Sequence, residues 1–283
     1  MMSNRSDEIR TLLNLTPEEV MEKAGDHLEV CKDLEELHHH FAKSIFDEIS
    51  HNNNMHKPTK LILPVGPIGQ YPILVKMIEK EHLSLKHCWF FFMDEYCDED
   101  GFALPTLHPL SFKRIAKMHF LIPLKGGYGL NNEQITFPDE LNINKISKMI
   151  REINGIDTCY GGIGIHGHVA FNEPSTNIIT SESRKVRLNE YTITLNAIRS
   201  QVGGNLENFP KHAFTLGMKQ ILGAKRIRLY CRNGSPYDWA NTVLRLALMG
   251  EPGDDYPVTH IRKHPDYKII TDKDTLRSPP NLI

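Results

Sequence analysis

The run Gly161-Gly162-Ile163-Gly164-Ile165-His166-Gly167-His168-Val169-Ala170-Phe171-Asn172-Glu173-Pro174 sets two imidazoles and a carboxylate within eight residues, behind three glycines. Imidazole titrates nearest to neutral pH, and a carboxylate close by can orient its ring. His168 with Glu173 therefore reads as a proton shuttle, with His166 in the same cluster. Glycines at a strand end thin the backbone, so Gly162 and Gly164 would let a small substrate lie against main-chain N–H groups. A second group of acids follows an apolar run in Phe91-Phe92-Met93-Asp94-Glu95-Tyr96. Partial desolvation there raises a carboxyl pKa, which suits Asp94 as a general base, and Glu95 beside it is read as a substrate contact. The same pattern also fits an Asp94 that caps a turn and a solvated Glu95. A third turn, Pro64 to Tyr71, offers Gly66, Gly69 and Gln70 ahead of a helix N-terminus, a place that favours an anion.

These three places must be held by a scaffold, and the chain alternates short apolar runs with helical ones. Strands are expected at 61–65, 89–94, 156–165, 213–218, 226–231 and 267–271, and helices at 71–81, 109–118, 142–153 and 235–249. Most of the strand runs are apolar on both faces, the signature of a sheet covered by helices on each side. The expected architecture is a three-layer α/β fold with a mainly parallel, doubly wound sheet. Ligands then collect beyond the carboxyl ends of the strands, where the three motifs fall. The first thirty residues read as a helical leader, with Thr16-Pro17-Glu18-Glu19 as cap, first-turn proline and acidic first turn. Residues 31–283 are expected to form a single α/β domain. A further helix spans about 33–49, with Leu34, Leu37, Phe41, Ile45 and Phe46 on one face. His38-His39-His40 is read as the solvated side of that helix.

Composition narrows the partners. A chain of 283 residues with 40% hydrophobic and 24% charged residues is ordinary for a globular protein. The net charge of -2 leaves no basic excess for a nucleic-acid backbone. No segment has the apolar length of a signal peptide or a bilayer span, so a cytoplasmic protein is expected, with no membrane partner. Five cysteines without a C-x-x-C pair read as reduced, buried thiols.

Taken together, LPVGPIGQYP, FFMDEY, HPLSF, GGIGIHGHVAFNEPS and HPDYKIITD resemble the glucosamine-6-phosphate deaminase family in order and spacing, over about residues 30 to 275. The resemblance implies a fold shared with sugar-phosphate isomerases and 6-phosphogluconolactonases. It also implies an aldose-to-ketose isomerisation that expels ammonia, with a sugar or sugar phosphate as substrate, no cofactor and a homo-oligomeric assembly. By matched position Asp94 would move a proton between C2 and C1, His168 would assist ring opening, and Glu173 would orient that histidine. The chain departs from the family at several points. His166 stands where the family carries an aspartate, which implies a His168 that holds its proton less tightly. Pro67, Ile68 and Gln70 replace hydroxyl donors in the first turn, Ile193 replaces an arginine, and residues 226–250 contain no lysine. Arg232 is the nearest substitute for the missing phosphate anchor.

Three other readings compete. One is lactone hydrolysis or simple isomerisation on the same fold, separated from deamination by ammonia release. Another is a zinc site built from His166, His168 and Glu173. The last is a sugar-binding regulator without turnover, which the joint presence of Asp94, His168 and Glu173 speaks against.

Overall fold

In the computed structural model, which describes residues 4–124, 127–233 and 239–283, the strands in chain order are β1 (Leu28–Cys31), β2 (Thr59–Leu63), β3 (Cys88–Phe92), β4 (Asp94–Cys97), β5 (Ile135–Thr136), β6 (Thr158–Gly162), β7 (Arg184–Arg187), β8 (His212–Thr215), β9 (Arg226–Tyr230) and β10 (Tyr267–Asp272). The helices are α1 (Arg5–Leu13), α2 (Pro17–Ala24), α3 (Leu34–Asn54), α4 (Gln70–Glu81), α5 (Phe112–Ala116), α6 (Ile146–Glu152), α7 (Glu190–Arg199), α8 (Met218–Leu222), α9 (Ala240–Met249) and α10 (Lys273–Leu276). Seven strands form a parallel sheet in the order β1-β10-β9-β6-β2-β3-β5.

Adjacent residues on a strand face opposite ways, and here both faces are apolar. Leu61, Leu63, Phe90, Phe92 and Ile270 pack with Phe41, Ile45 and Ile49 of α3 and Leu74 and Ile78 of α4. Their neighbours Ile62, Phe91, Ile227, Leu229 and Ile269 pack on the other side with Ile146 of α6, Ile221 of α8 and Val243 and Leu244 of α9. The result is the expected helix–sheet–helix sandwich. Each such side chain, fully buried, contributes about 1.5–3 kcal/mol by transfer from water.

The run at 213–218, expected in the parallel sheet, belongs instead to a second, antiparallel sheet ordered β4-β8-β7. Met93 joins the two sheets. Its N–H donates to the Leu63 carbonyl at 3.0 Å, and its own carbonyl accepts from the Leu216 N–H at 2.8 Å. The parallel sheet and the antiparallel one thus meet at a single residue, with Asp94 next to it.

The helix expected at 109–118 begins later, because Ser111 caps α5 and accepts from the Arg114 N–H; a π-turn over Lys117–Leu121 continues it. The start of the helix expected at 235–249 lies outside the described residues, and α9 follows from Ala240.

The leader is anchored rather than loose. Thr16 and Glu19 form a reciprocal cap at α2, whose Val20 and Ala24 enter the core. Residue 30, the expected boundary of the leader, lies inside β1, which pairs with β10 from Leu28↔Ile269 to Cys31↔Asp272. Arg245 of α9, fully buried, donates to the carbonyls of Leu15 at 3.4 Å and Leu276 at 3.1 Å, so one side chain ties both ends of the chain to α9. All five cysteines are buried, and among the described residues none forms a disulfide. Among the described residues no helix is long and apolar enough to cross a membrane.

Candidate active site

A cavity of about 290 Å³ opens at the carboxyl ends of β2, β3, β6 and β9. Parallel strands deliver their C-terminal residues to one edge, which is why segments distant in sequence meet there. Pro64 to Ile68 enter after β2, Met93 and Asp94 after β3, Gly162 to Gly164 and His168 after β6, and Tyr230 and Arg232 around the end of β9. Asn196 and Arg199 of α7, its C-cap Ser200 and the ring of Trp239 complete the wall.

Asp94, the first residue of β4, is held in register opposite Thr215 and is only 7% exposed. Burial, and after it the charge of Glu95, pushes its carboxyl up to about 8. Glu95 points away from the cavity, as the alternation of a strand requires. Its carboxylate accepts from the Ser111 hydroxyl at 2.9 Å and from the backbone N–H groups of Phe112 and Lys113 at 2.9 and 2.8 Å. The expected substrate contact is therefore a structural acceptor: Glu95 satisfies the orphan donors at the start of α5.

The loop after β6 is closed on itself. The Gly164 N–H donates to the His168 carbonyl at 2.9 Å, and the Gly167 N–H donates to the Gly164 carbonyl at 2.9 Å. Gly167 has a φ of +61°, and a Cβ there would stand 2.8 Å from Val258, so glycine is required. Ala170 adopts φ +51°, a left-handed conformation that costs a non-glycine residue about 1–2 kcal/mol. The His168 ring packs over Gly164, where an added Cβ would meet Nε2 at 1.9 Å. Burial first, and the neighbouring His166 second, bring His168 down to about 4. The imidazole is neutral near pH 7, and its buried Nδ1 has no hydrogen-bond partner among the described residues.

The expectation that Glu173 orients His168 is not met by a bond between them. The Glu173 Oε2 accepts from the Asn189 backbone N–H at 2.8 Å, at the start of α7, while its buried Oε1 has no hydrogen-bond partner among the described residues. Burial raises the Glu173 carboxyl above its usual range. His166 lies outside the cavity wall, with Asn189 Nδ2 at 3.4 Å from its Nδ1 and the Tyr191 ring edge-on at 5.1 Å. Among the described residues no three His, Cys, Asp or Glu side chains gather as a metal site.

The three glycine-turn residues divide. Gly66 fronts the cavity, and a Cβ there would meet nothing within 4 Å, so its small size leaves room rather than relieving a clash. Gly69 and Gln70 do not line the cavity. Gln70, fully buried, donates from Nε2 to the Pro67 carbonyl at 2.8 Å and braces the turn from behind. Gly69 is covered by His38, whose ring would overlap a Cβ at 2.2 Å. His38 is thus half-buried instead of solvated. His40 also turns inward, with its ring nitrogens 3.0 Å from the Tyr230 hydroxyl and 2.9 Å from Glu29, and only His39 is exposed. Arg232 lines the cavity and donates to the Asn233 carbonyl at 3.0 Å.

Sequence reasoning missed Asn196, Arg199, Ser200 and Trp239. Arg199 lies 3.9 Å above the Trp239 ring, so a cation is present on α7 although Ile193 occupies the position where one was sought. The i, i+3, i+4 spacing of Asn196, Arg199 and Ser200 on one helical side was the available signal.

No model of a known family matches the chain. Among curated proteins it is 30% identical over 257 residues to the glucosamine-6-phosphate deaminase of Mycoplasmopsis pulmonis, covering 87% of this chain and 92% of that one. It is 28% identical to the enzyme of the same name from Thermoanaerobacter pseudethanolicus, over 89% and 94% of the two chains. Among solved structures it superposes on a monomeric glucosamine-6-phosphate deaminase of the NagB superfamily with a TM-score of 0.75 and 25% identity, over 88% of this chain and 98% of that one. A 6-phosphogluconolactonase from Shewanella baltica shares the fold, with a TM-score of 0.61 at 14% identity over 87% and 97% of the chains.

Proposed function

The chain belongs to the glucosamine-6-phosphate deaminase family, and on that premise we propose that it converts an amino-sugar 6-phosphate into a ketose phosphate with release of ammonia. The observation that carries this reading is that the Asp94 carboxyl and the His168 imidazole, from two separate strand ends, line one sugar-sized cavity. The neutral His168 accepts the proton of the anomeric hydroxyl and returns one to the ring oxygen, which opens the ring without net proton change. Ionised Asp94 then takes the proton from C2 and delivers it to C1, while a proton lost by the amine is gained by O1. The amine-bearing carbon becomes an imine, and water adds to it to leave the ketose and ammonia. A base near pKa 8 holds a proton strongly enough to abstract from carbon yet releases a fraction of it at neutral pH.

Glu173 acts at one remove in this scheme: through Asn189 it fixes the start of α7, which carries Asn196, Arg199 and Ser200 to the cavity. Arg232 and Arg199 supply the positive charge for the phosphate in place of the altered anchors. We place the reaction in the cytoplasm, and a homo-oligomer, tested by sedimentation equilibrium, belongs to the same reading. Purified protein incubated with glucosamine 6-phosphate is expected to produce ammonia and ketose in equal amounts. Ketose without ammonia would make it a simple isomerase, acid release from 6-phosphogluconolactone a lactonase, and no turnover of any of these substrates would end the enzymatic reading.

A further inference from the structure

We propose that a second ligand site lies at the amino ends of the parallel strands and binds the phosphate group of a small molecule, either free phosphate or a phosphomonoester. The site is at the far end of the strands from the catalytic cavity, and the inference does not rest on the reading of that cavity. A hollow of about 310 Å³ opens where β2, β6 and β9 begin, beside the last turn of α3. His51, Lys57, Lys60, Lys225 and Arg226 line it, and among the described residues Asp157 is the one acid in its wall. Its size is close to the 290 Å³ of the catalytic cavity, so it has room for a whole sugar phosphate.

The cations exceed the carboxylates that neutralise them. Asp157 is engaged on both oxygens: Oδ2 accepts from the Lys60 backbone N–H at 2.9 Å, and Oδ1 from the Lys225 ammonium at 2.8 Å. Glu48 takes the Arg226 guanidinium at 2.6 Å and also accepts from the hydroxyls of Thr158 and Tyr160, each at 2.9 Å. Two lysines remain. Neither Lys57 nor Lys60 forms an ion pair among the described residues, and Lys60 is only 7% exposed. Its ammonium donates to the carbonyls of Ile153 at 3.0 Å and Asn154 at 3.2 Å, just past α6. These acceptors are neutral, and they use two of its three donors. A buried cation with no counter-charge is stabilised by an anion that enters beside it. A concave wall with two uncancelled positive charges also concentrates the field that attracts one. The same count excludes a metal ion, because the oxygens of Asp157 are already taken by cations and by the main chain.

The test titrates the full chain with inorganic phosphate at constant ionic strength, replacing chloride, and follows the backbone amide resonances by NMR. Saturable shifts are expected at residues 57–60 and 225–226, and they should persist in Arg232→Ala, which alters the catalytic cavity. Lys57 is exposed, so its replacement spares the fold. Lys57→Glu should weaken the binding read at residues 225–226 at least about tenfold, and Lys57→Arg should retain it. Glucitol 6-phosphate, which has no carbonyl to isomerise, separates the two sources: tighter binding than inorganic phosphate identifies an ester as the ligand, and weaker binding identifies free phosphate. Shifts that grow without saturating, or equal affinity in wild type and Lys57→Glu, overturn the site. A chain that binds phosphate here but turns over no amino-sugar phosphate loses the proposed function and keeps this site, while turnover without the shifts at 57–60 removes this inference alone.

Discussion

The His168 imidazole rests on the backbone of Gly164, its Nε2 1.9 Å from the point a Cβ would occupy. The ring therefore has its position set by the absence of a neighbouring side chain, and its orientation by the loop that the Gly164 N–H closes onto the His168 carbonyl. Gly164→Ala should displace the ring without unfolding the protein. We expect kcat/KM to fall at least about tenfold, with a circular dichroism spectrum like that of the wild type.

Asp94 should trade activity against stability. Its folded pKa, about 8, lies above the ordinary carboxyl value of 3.8, so between those limits the unfolded chain has released a proton that the folded one retains. Stability contributed by this group is then full below pH 3.8 and falls as pH rises, by about 1.4 kcal/mol per unit until the folded pKa is reached. Asp94→Asn escapes that loss. It should lower turnover about 10²–10⁴-fold and yet melt at a higher temperature than wild type, with the gap widening from pH 5 to pH 8. An alkaline gap that does not widen would contradict the burial argument. In the wild type, kcat/KM should climb with pH toward an apparent pKa near 8.

His166 contributes a second, smaller depression to His168 after burial. His166→Asp reverses the sign of that neighbour, and the His168 midpoint followed by NMR titration should rise by about one unit. No change would show that burial alone sets it.

Arg199→Ala removes a cation held over Trp239 at the cavity wall. KM for a phosphorylated substrate should increase about tenfold or more, while kcat changes less. An unphosphorylated sugar should show no such penalty, which distinguishes charge recognition from a collapse of the wall.

Glu173→Ala deprives the Asn189 N–H of its acceptor. Hydrogen exchange at the start of α7 should accelerate, and kcat/KM should fall even though residue 173 does not line the cavity. Protection equal to wild type would remove Glu173 from any role in fixing that helix.

Most of the sheet was legible because its strands are apolar on both faces, which only a covered parallel sheet explains. β7 escaped, since Arg184-Lys185-Val186-Arg187 pairs along its length with β8 while only partly buried, and β5 is too short to carry a period. The run 213–218 was recognised as a strand but assigned to the wrong sheet, because apolar content does not encode direction. Asp94 and His168 could be read from their place behind strands. The directions of Glu95, Glu173 and His166 could not: a one-residue step on a strand turns a carboxylate from the cavity to a helix cap. The place of α7 at the cavity was hidden by tertiary distance, and the three consecutive histidines 38–40 could not be told apart because packing gives each different surroundings.

Met93 shares its two main-chain hydrogen bonds between the sheets, one residue before Asp94. An insertion or deletion at this seam would swap the outlooks of residues 94 and 95, sending the Asp94 carboxyl toward α5 and that of Glu95 toward the cavity. Substitutions on other borders of the cavity leave this seam in phase. The side formed by α7, whose helix can exchange surface residues without altering any strand's phase, is where such substitutions can be accommodated.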